Sequence, residues 1–358
     1  MPLNEAQYGQ SDTWNEILSQ GAVWQSVLQE LAQNAVLEKV AANGSRKPSW
    51  LFVGCGTSFY LAEAAASSWT LLTGGPARAV PASEVLLYPN LTHVDGTDVQ
   101  AIVISRSGRT SEAVRAAQIL KRELHMPTVG ITCSQKSELE AACDYTLVLR
   151  SADENSTVMT RSFTSMLVSL QYLAARHAGN AAFVRSLQDV AEQIAVHIRS
   201  LAKQIETFVA GRSFDDYVFL GQGPFHGIAR EAALKVMEMS CSYSQFFHTL
   251  EFRHGPKAIV SPRTCLLFFL SQTGLEAELE VLEEMKELGG VTIVVCNRSD
   301  QKIRAASDLV LELNMPANEL ALLAPYIVPG QLLGFFTGIG KGLNPDQPKN
   351  LSRVVILD

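Results

Sequence analysis

One pattern occurs twice in this chain of 358 residues and constrains its fold more than any other feature. A hydrophobic run typical of a buried strand ends in Gly54-Cys55-Gly56, and another ends in Gly221-Gln222-Gly223. A serine-led turn follows each of them, at Ser105, 51 residues after Gly54, and at Ser271, 50 residues after Gly221. The repeated spacing indicates an internal duplication, so two copies of one α/β unit are predicted.

Hydrophobic runs typical of strands alternate with helical patterns in both halves of the chain. Such alternation indicates βαβ units, in which helices join parallel strands. The predicted fold class is therefore α/β, with two tandem doubly wound parallel sheets. Helical periodicity also covers 14–42, with a possible break at Gly21, and 160–210. The predicted strands are 50–53, 101–104, 128–132, 145–149, 217–220, 265–270 and 291–295, and the predicted helices are 57–72, 111–124 and 275–288.

These patterns divide the chain into four predicted segments. Residues 1–45 form an N-terminal helical segment, 46–210 a first subdomain with linking helices, 211–340 a second subdomain, and 341–358 a C-terminal tail. The tail is polar and rich in turn-forming residues. We expect it to cover a site, although a plain surface loop has the same composition.

Charge and composition exclude several classes of protein. The net charge of -7 argues against nucleic acids and anionic membranes as partners, because both favour a basic surface. No leader sequence is recognised, and the longest apolar run, 265–270, is too short to span a membrane. The six cysteines form no CxxC pair, and no spacing of Asp, Glu and His indicates a metal site. We expect a cytoplasmic protein without metal or cofactor.

The turn Ser105-Arg106-Ser107-Gly108-Arg109-Thr110 is a candidate phosphate site. It lies between a predicted strand and a predicted helix, where backbone N–H groups and small hydroxyl side chains bind anions. Thr57 and Ser58, after the first strand, are expected at the same edge of the sheet. The alternative is a turn that only caps the helix. A dinucleotide site and a P-loop are disfavoured, because Tyr60 and Leu61 stand where a third glycine is expected and the P-loop lysine is missing.

Taken together, these motifs resemble the sugar isomerase (SIS) domain family. Within that family the chain is similar to the isomerase half of glucosamine-6-phosphate synthase and its stand-alone relatives. The resemblance covers residues 49–358 and implies two flavodoxin-like SIS subdomains that bind a sugar phosphate. The motifs that carry it, in order, are Gly54-Cys55-Gly56-Thr57-Ser58, the turn from Ser105 to Thr110, residues 154–164, residues 231–238 (EAALKVME), residues 251–256 (EFRHGP) and Asn350-Leu351-Ser352-Arg353.

The resemblance also implies a role for individual residues, in a homodimer with composite active sites. Glu238 matches the proton-transfer carboxylate, and His254 matches a ring-opening histidine that the partner subunit supplies. Glu231 and Lys235 share the helix face of Glu238 and complete the implied catalytic set. For Glu238 the alternative is a structural carboxylate paired with Lys235 or Arg253. The implied phosphate ligands are Ser58, Ser105, Arg106, Ser107 and Thr110, and the implied sugar-binding residues are Gly56, Thr57, Thr157 and Arg353.

Two departures from the synthase narrow the expected chemistry. No glutaminase segment precedes the first strand, so glutamine hydrolysis is not expected. Arg353 stands where the synthase has a Schiff-base lysine, and a guanidinium does not form that imine. We therefore expect a deaminase that converts glucosamine 6-phosphate to fructose 6-phosphate and ammonia by proton transfer between C2 and C1. The alternatives are a deglycase of 6-phosphorylated Amadori compounds, a ketose/aldose isomerase and a non-catalytic sugar-phosphate sensor.

The turn Ser271-Gln272-Thr273-Gly274 is the counterpart of the candidate phosphate loop in the second half. It is interpreted either as a second sugar-phosphate site or as a remnant of duplication that caps a helix.

Overall fold

The chain is described here by a computed structural model that covers residues 8–42, 49–92 and 98–357. The described residues form two five-stranded sheets, and all their strands run parallel. The first sheet has the order β2-β1-β3-β4-β5, and the second has the same order, β7-β6-β8-β9-β10. The predicted duplication of a doubly wound α/β unit is therefore confirmed. The strands are β1 (Ser49–Gly54), β2 (Ala77–Pro81), β3 (Val99–Ile104), β4 (Thr128–Thr132), β5 (Tyr145–Val148), β6 (Asp216–Gly221), β7 (Ser244–Phe247), β8 (Thr264–Phe269), β9 (Val291–Cys296) and β10 (Leu309–Glu312).

The central strands show why the sequence pattern consists of continuous apolar runs. Every residue of β3 and of β8 is buried. Parallel sheets are covered by helices on both faces, so their inner strands carry apolar side chains at successive positions and do not alternate. For this reason the strand runs stood out in the sequence.

Helices flank both sheets, and most predicted helices are found within a few residues. The break predicted at Gly21 falls two residues earlier, at Ser19, which separates two helices, and Gly21 itself lies buried in the second of them. A further break comes at residues 33–34, where the Asn34 side chain accepts hydrogen bonds from the N–H groups of Val36 (2.9 Å) and Leu37 (3.1 Å). The helices are α1 (Asp12–Leu18), α2 (Gln20–Ala32), α3 (Ala35–Ala42), α4 (Thr57–Thr73), α5 (Ala82–Leu87), α6 (Ser111–Arg122), α7 (Glu138–Ala142), α8 (Arg161–His177), α9 (Ala181–Val209), α10 (Phe225–Ser240), α11 (Leu275–Glu287), α12 (Gln301–Ala305) and α13 (Leu323–Gly340).

Two compact units are formed, and they interleave along the chain as far as the structure describes it. The first-sheet unit comprises Gln20–Glu154, Arg161–Ala191 and Ser352–Asp358. The second-sheet unit comprises Met1–Ser19, Asn155–Thr160 and Glu192–Leu351. The chain crosses between the units at residues 19–20, 154–155 and 160–161, inside α9 and again within the tail. The division into four successive segments stays a prediction.

A long apolar helix that the sequence analysis missed forms the core of the second-sheet unit. The helical segment Glu319–Gly340 is long and apolar enough, by length and composition, to cross a membrane. However, 94% of its apolar window is buried inside the protein. Such burial is typical of the core helix of a globular unit, in which every side of the helix faces other protein atoms.

Three glycines of α13 bring this helix close to α10. A Cβ atom added at Gly330 would lie 2.5 Å from the Cβ atom of Ala232, and one added at Gly334 would lie 2.7 Å from the carbonyl oxygen of Lys235. At Gly338 the added atom would lie 2.2 Å from the carbonyl oxygen of Met239. The spacing of four residues places all three glycines on one face. The position of α10 therefore depends on the absence of side chains at these sites.

Candidate active site

The first-sheet unit carries the candidate phosphate loop at its topological switch point. Strands β1 and β3 are neighbours in the sheet. After β1 the chain continues to β2 on one side, and after β3 it continues to β4 on the other side. The loops after their carboxyl ends are 55–56 and 105–110, and helices α4 and α6 follow them directly. Ligands of open α/β sheets bind at this position. The structure thus places Gly56, Thr57 and Ser58 at the same sheet edge as Ser105.

The backbone of the loop after β3 is held by the neighbouring strand. The N–H group of Ser105 donates to the Ile131 carbonyl (3.0 Å), and the Arg106 carbonyl accepts from the Cys133 N–H group (2.9 Å). Gly108 has φ +62°, and a Cβ atom there would lie 2.3 Å from Ser137 Oγ. Glycine is therefore required at this position for both conformation and space. The loop is preformed by contacts within its own unit.

The hydroxyl groups of the loop bond locally. Ser105 Oγ accepts from the Gly108 N–H group (3.2 Å), and Ser107 Oγ accepts from the Arg109 N–H group (3.2 Å). Thr110 is the N-terminal cap residue of α6, but its side chain makes no capping hydrogen bond. The helix-capping alternative therefore does not account for the Thr110 hydroxyl.

Arg106 is buried and paired with a carboxylate. Its Nη1 lies 3.1 Å from Glu154 Oε1, with the two side chains 5% and 0% exposed. Its Nη2 donates to the Arg353 carbonyl (3.0 Å), and the Ser162 hydroxyl also donates to Glu154. This guanidinium thus connects the loop to Glu154 and to the tail. Its predicted contact with phosphate stays a prediction. By contrast, Arg109 is exposed and lies 3.6 Å from Glu138, itself exposed.

The last residues of the tail lie against the same loop and helix. Arg353 Nη2 lies 2.8 Å from Asp153 Oδ1 and also donates to the Glu154 carbonyl. The first N–H group of α6, that of Ser111, donates to the Val355 carbonyl (3.2 Å), and the Leu357 N–H group donates to Ser111 Oγ (3.0 Å). Thus Arg353 is anchored beside the candidate phosphate loop, and a tail carbonyl satisfies one donor at the start of α6.

In the second-sheet unit, three predicted catalytic residues form a connected set on α10. The Lys235 ammonium lies 3.2 Å from Glu231 Oε1 and also bonds to Glu238 Oε2. The side chains of Glu231 and Lys235 are fully buried, whereas that of Glu238 is 17% exposed. The predicted alternative, a pairing of Glu238 with Lys235, is therefore observed. This pairing leaves the Glu238 side chain partly exposed to solvent. Glu238 is therefore the member of the set that a ligand can reach.

Lys235 is a cation and not a nucleophilic amine. Burial alone would lower the pKa of Lys235, but the charges of Glu231 and Glu238 and their hydrogen bonds outweigh it and raise that pKa above its ordinary value of 10.5. A lysine that forms an imine needs a neutral amine. Lys235 therefore serves to hold the two carboxylates of α10 in position.

His254 lies on an exposed turn whose flanks are anchored. Arg253 Nε lies 2.9 Å from Glu284 Oε2, and Lys257 Nζ lies 2.5 Å from Glu284 Oε1. Glu284 belongs to α11, so one carboxylate holds the turn on both sides of His254. Its imidazole is exposed. The predicted delivery of His254 to a partner subunit stays a prediction.

Thr157 lies in the segment Asn155–Thr160, which belongs to the second-sheet unit. Buried Glu16 of α1 holds this segment, because its carboxylate accepts from the N–H group of Asn155 and the hydroxyl of Ser156. At the end of the segment, the Thr160 carbonyl accepts from Gln331 Nε2 (3.2 Å). Neither Glu16 nor Gln331 stands in a recognisable motif, so neither was predicted to hold this segment.

The loop Ser271–Gly274, the counterpart of the candidate phosphate loop, is filled by the chain's own carboxylates. The N–H group and hydroxyl of Ser271 donate to Glu278 (2.7 and 3.0 Å). The N–H group and hydroxyl of Thr273 donate to Glu319 (3.1 and 2.7 Å), to which Gln272 also donates. Internal carboxylates therefore occupy the donors that an anion would need. This arrangement favours the duplication remnant over a second sugar-phosphate site.

No cluster of three or more metal-ligating side chains occurs among the described residues. Burial and the nearby Glu112 raise the pKa of Cys55, in the loop after β1, to about 12, so its thiol stays protonated at neutral pH.

Comparisons with known proteins identify the family. The family model of the SIS domain matches residues 45–176 and 188–333, which is most of the chain. The chain belongs to the SIS domain family. One SIS match contains the first sheet and the other contains the second sheet, so the family repeat coincides with the duplicated sheet order.

Curated relatives within the SIS family are longer than this chain. A glutamine--fructose-6-phosphate aminotransferase [isomerizing] of Pyrobaculum aerophilum is 30% identical over 319 residues, covering 86% of this chain and 51% of the relative. The corresponding protein of Vibrio cholerae is 27% identical over 319 residues, with the same coverage. The chain thus spans about half the length of these relatives.

Solved SIS structures match the chain over nearly its whole length. Glucosamine-6-phosphate deaminase from Thermotoga maritima has a TM-score of 0.80 at 30% identity, covering 97% of this chain and 100% of that chain. Tagatose-6-phosphate ketose/aldose isomerase from Escherichia coli has a TM-score of 0.85 at 23% identity, covering 100% and 98%. The latter likeness shows the fold alone.

Proposed function

We propose that this SIS protein is a phosphosugar isomerase that converts glucosamine 6-phosphate to fructose 6-phosphate and ammonia. The observation that carries the proposal is the carboxylate–lysine–carboxylate set of α10. In this set Glu238 is partly exposed, while Glu231 and Lys235 are buried. The Thermotoga maritima relative, which is 30% identical and matches over its full length, is a glucosamine-6-phosphate deaminase and supports the choice of substrate.

In the proposed reaction Glu238 takes the proton from C2 of the open-chain sugar and returns it at C1. This transfer leaves an imine at C2, and water then replaces the nitrogen, so that the products are a ketose phosphate and ammonia. A general base positioned at the reacting carbon contributes about 10²–10⁴ in rate. The ammonium of Lys235 fixes the Glu238 carboxylate through its direct bond.

The reaction needs no imine with the enzyme, which agrees with the residues present. Lys235 is held as a cation by two carboxylates. Arg353 carries a guanidinium that stays protonated. Neither residue offers a neutral amine, so deamination by proton transfer suits this chain better than ammonia transfer through a Schiff base.

We assign phosphate binding to the loops after β1 and β3. Ser58, Ser105, Ser107 and Thr110 supply hydroxyl groups there, and α6 adds the N–H groups of its first turn. The joint action of these loops and Glu238 on one substrate is part of the proposal, as are sugar contacts by Gly56, Thr57, Thr157 and Arg353. A cytoplasmic homodimer in which His254 opens the sugar ring in the partner's site completes it.

The test is turnover on a panel of sugar phosphates, with ammonia and ketose phosphate measured separately. The panel contains glucosamine 6-phosphate, galactosamine 6-phosphate, a 6-phosphorylated fructosyl amino acid and tagatose 6-phosphate. We expect ammonia from glucosamine 6-phosphate, and we expect Glu238→Gln to abolish it while binding survives. Exposed Glu283 of α11 gives the matched control Glu283→Gln, which should keep full activity. Turnover of another panel member alone would disprove the substrate, and full turnover by Glu238→Gln would disprove the base.

A further inference from the structure

A cavity of about 290 Å³ lies within the second-sheet unit, apart from α10 and its carboxylates. Its wall combines three aromatic rings with acidic and basic side chains of α9. The lining residues are Tyr8, Trp14, Arg199, Ala202, Lys203, Glu206 and Phe336. Ligand pockets usually measure about 300–1,000 Å³, so this cavity suits a small molecule.

The acidic group of the cavity is an incompletely bonded carboxylate. Glu206 is 5% exposed. Its Oε2 accepts from Lys203 Nζ (3.0 Å), whereas its Oε1 is buried and has no hydrogen-bond partner among the described residues. A buried polar atom without a partner costs about 1–3 kcal/mol, and more for a charged group. Glu206 lines the cavity, so a donor that enters it and reaches Oε1 would remove this cost.

The aromatic wall is rigid and apolar. Tyr8, Trp14 and Phe336 are all buried and pack edge to face, with ring centroids 5.0 Å apart for Tyr8 and Trp14 and 5.7 Å apart for Trp14 and Phe336. Such a wall accommodates an aliphatic group, and aromatic rings beside a carboxylate also favour an ammonium group. Together with Glu206 the rings indicate a cationic amine with an apolar body.

Basic side chains stand at the rim of the same cavity. Arg199 and Lys203 are one helical turn apart on α9 and are both exposed. Lys203 is 69% exposed although it bonds to Glu206. Two cations at the rim favour a ligand that also carries an anionic group, since a simple amine would be repelled by them.

We propose that this cavity binds a small zwitterion of the amino-acid class. Its ammonium donates to Glu206 Oε1, its carboxylate faces Arg199 and Lys203, and its aliphatic side chain packs on Trp14 and Phe336. This site is separate from the proposed phosphosugar site in its residues and in its ligand, so either proposal can fail without the other.

The test is calorimetric titration of the full chain with three matched probes. L-leucine carries both charges, 3-methylbutylamine lacks the carboxylate, and 4-methylpentanoate lacks the amine. We expect L-leucine to bind most tightly and 4-methylpentanoate most weakly. Glu206→Gln should weaken L-leucine binding about tenfold or more, because a hydrogen bond to a charged group is lost. Exposed Glu192, on the same helix but outside the cavity, gives the matched control Glu192→Gln, which should bind as the unchanged chain does.

A second variant keeps the proposal falsifiable if Glu206→Gln does not fold. Lys203→Met changes an exposed side chain and should reduce the preference for L-leucine over 3-methylbutylamine severalfold. If none of the three probes bound at millimolar concentration, the proposal would be overturned, and the cavity would be interpreted as filled by water only. Equal binding of L-leucine by the unchanged chain and by Glu206→Gln, or an unaltered preference in Lys203→Met, would overturn it as well.

Discussion

The contact between α13 and α10 makes Gly334→Ala an informative perturbation. The added methyl group would lie 2.7 Å from the carbonyl oxygen of Lys235, 2.9 Å from its carbonyl carbon and 2.8 Å from the Met239 side chain. Two of these three atoms belong to the backbone, so a rotamer change cannot relieve the overlap and the helices must separate. Overpacking of this kind costs about 1–3 kcal/mol, and the higher helix propensity of alanine returns up to about 1 kcal/mol. We expect a net loss of stability of about 1–2 kcal/mol.

Gly340→Ala is the matched control on the same helix. A Cβ atom at Gly340 would meet nothing within 4 Å, so this variant should be neutral or slightly stabilising. Urea unfolding followed by circular dichroism measures both variants, and kcat for the proposed deamination shows whether displacement of Lys235 reaches the chemistry. Equal unfolding midpoints for Gly334→Ala and Gly340→Ala would refute the packing argument.

Three further predictions concern single side chains. Burial outweighs the hydrogen bonds from Ser271 and raises the pKa of Glu278 from 4.5 to about 7, so the folded chain holds this proton longer than the unfolded chain does. The free energy of unfolding should therefore fall by about 3 kcal/mol from pH 4.5 to 7. Unfolding of Glu278→Gln, measured over the same pH range, should show a smaller fall. An unchanged dependence of stability on pH would contradict the raised pKa of Glu278. Lys235→Met removes a buried cation from between two carboxylates and should lower the free energy of unfolding, measured with denaturant, by about 3–5 kcal/mol. The control Lys286→Met breaks an exposed pair and should lower it by at most about 1 kcal/mol. Similar losses in the two variants would contradict this prediction. Gly108→Ala combines a left-handed backbone with a clash and should cost about 1–3 kcal/mol and raise KM for a sugar phosphate, whereas an unchanged KM would separate this loop from substrate.

The fold was predictable because its strands are buried on both faces. Continuous apolar runs such as 101–104 and 265–270 mark inner parallel strands, and the repeated glycine and serine turns mark their carboxyl ends. The two sheets were found as predicted, and the SIS resemblance was confirmed by the family match. Helix α13 was missed because an all-round apolar helix has no helical period to detect.

Several site features depend on contacts between residues far apart in sequence. The pairing of Arg106 with Glu154 joins residues 48 apart, and the bond from Arg106 to the Arg353 carbonyl spans 247 positions. No local spacing signals such pairs. Glu319 could have been suspected, since it follows β10 by seven residues much as Glu154 follows β5 by six. Only the three-dimensional structure shows that carboxylates fill the turn at Ser271.

Proton transfer by Glu238 between C2 and C1 of a bound sugar is the central step of the proposed reaction. The most direct measurement is deuterium incorporation by mass spectrometry and NMR, with glucosamine 6-phosphate incubated in deuterated water. We predict deuterium at C1 of the fructose 6-phosphate formed by the unchanged chain, because the proton held by the partly exposed Glu238 exchanges with solvent before it is returned, and none with Glu238→Gln at saturating substrate and unaltered affinity. Undiminished incorporation by Glu238→Gln would contradict the role of this carboxylate, and tight binding with neither product nor incorporation by the unchanged chain would make the protein a sensor and not an enzyme.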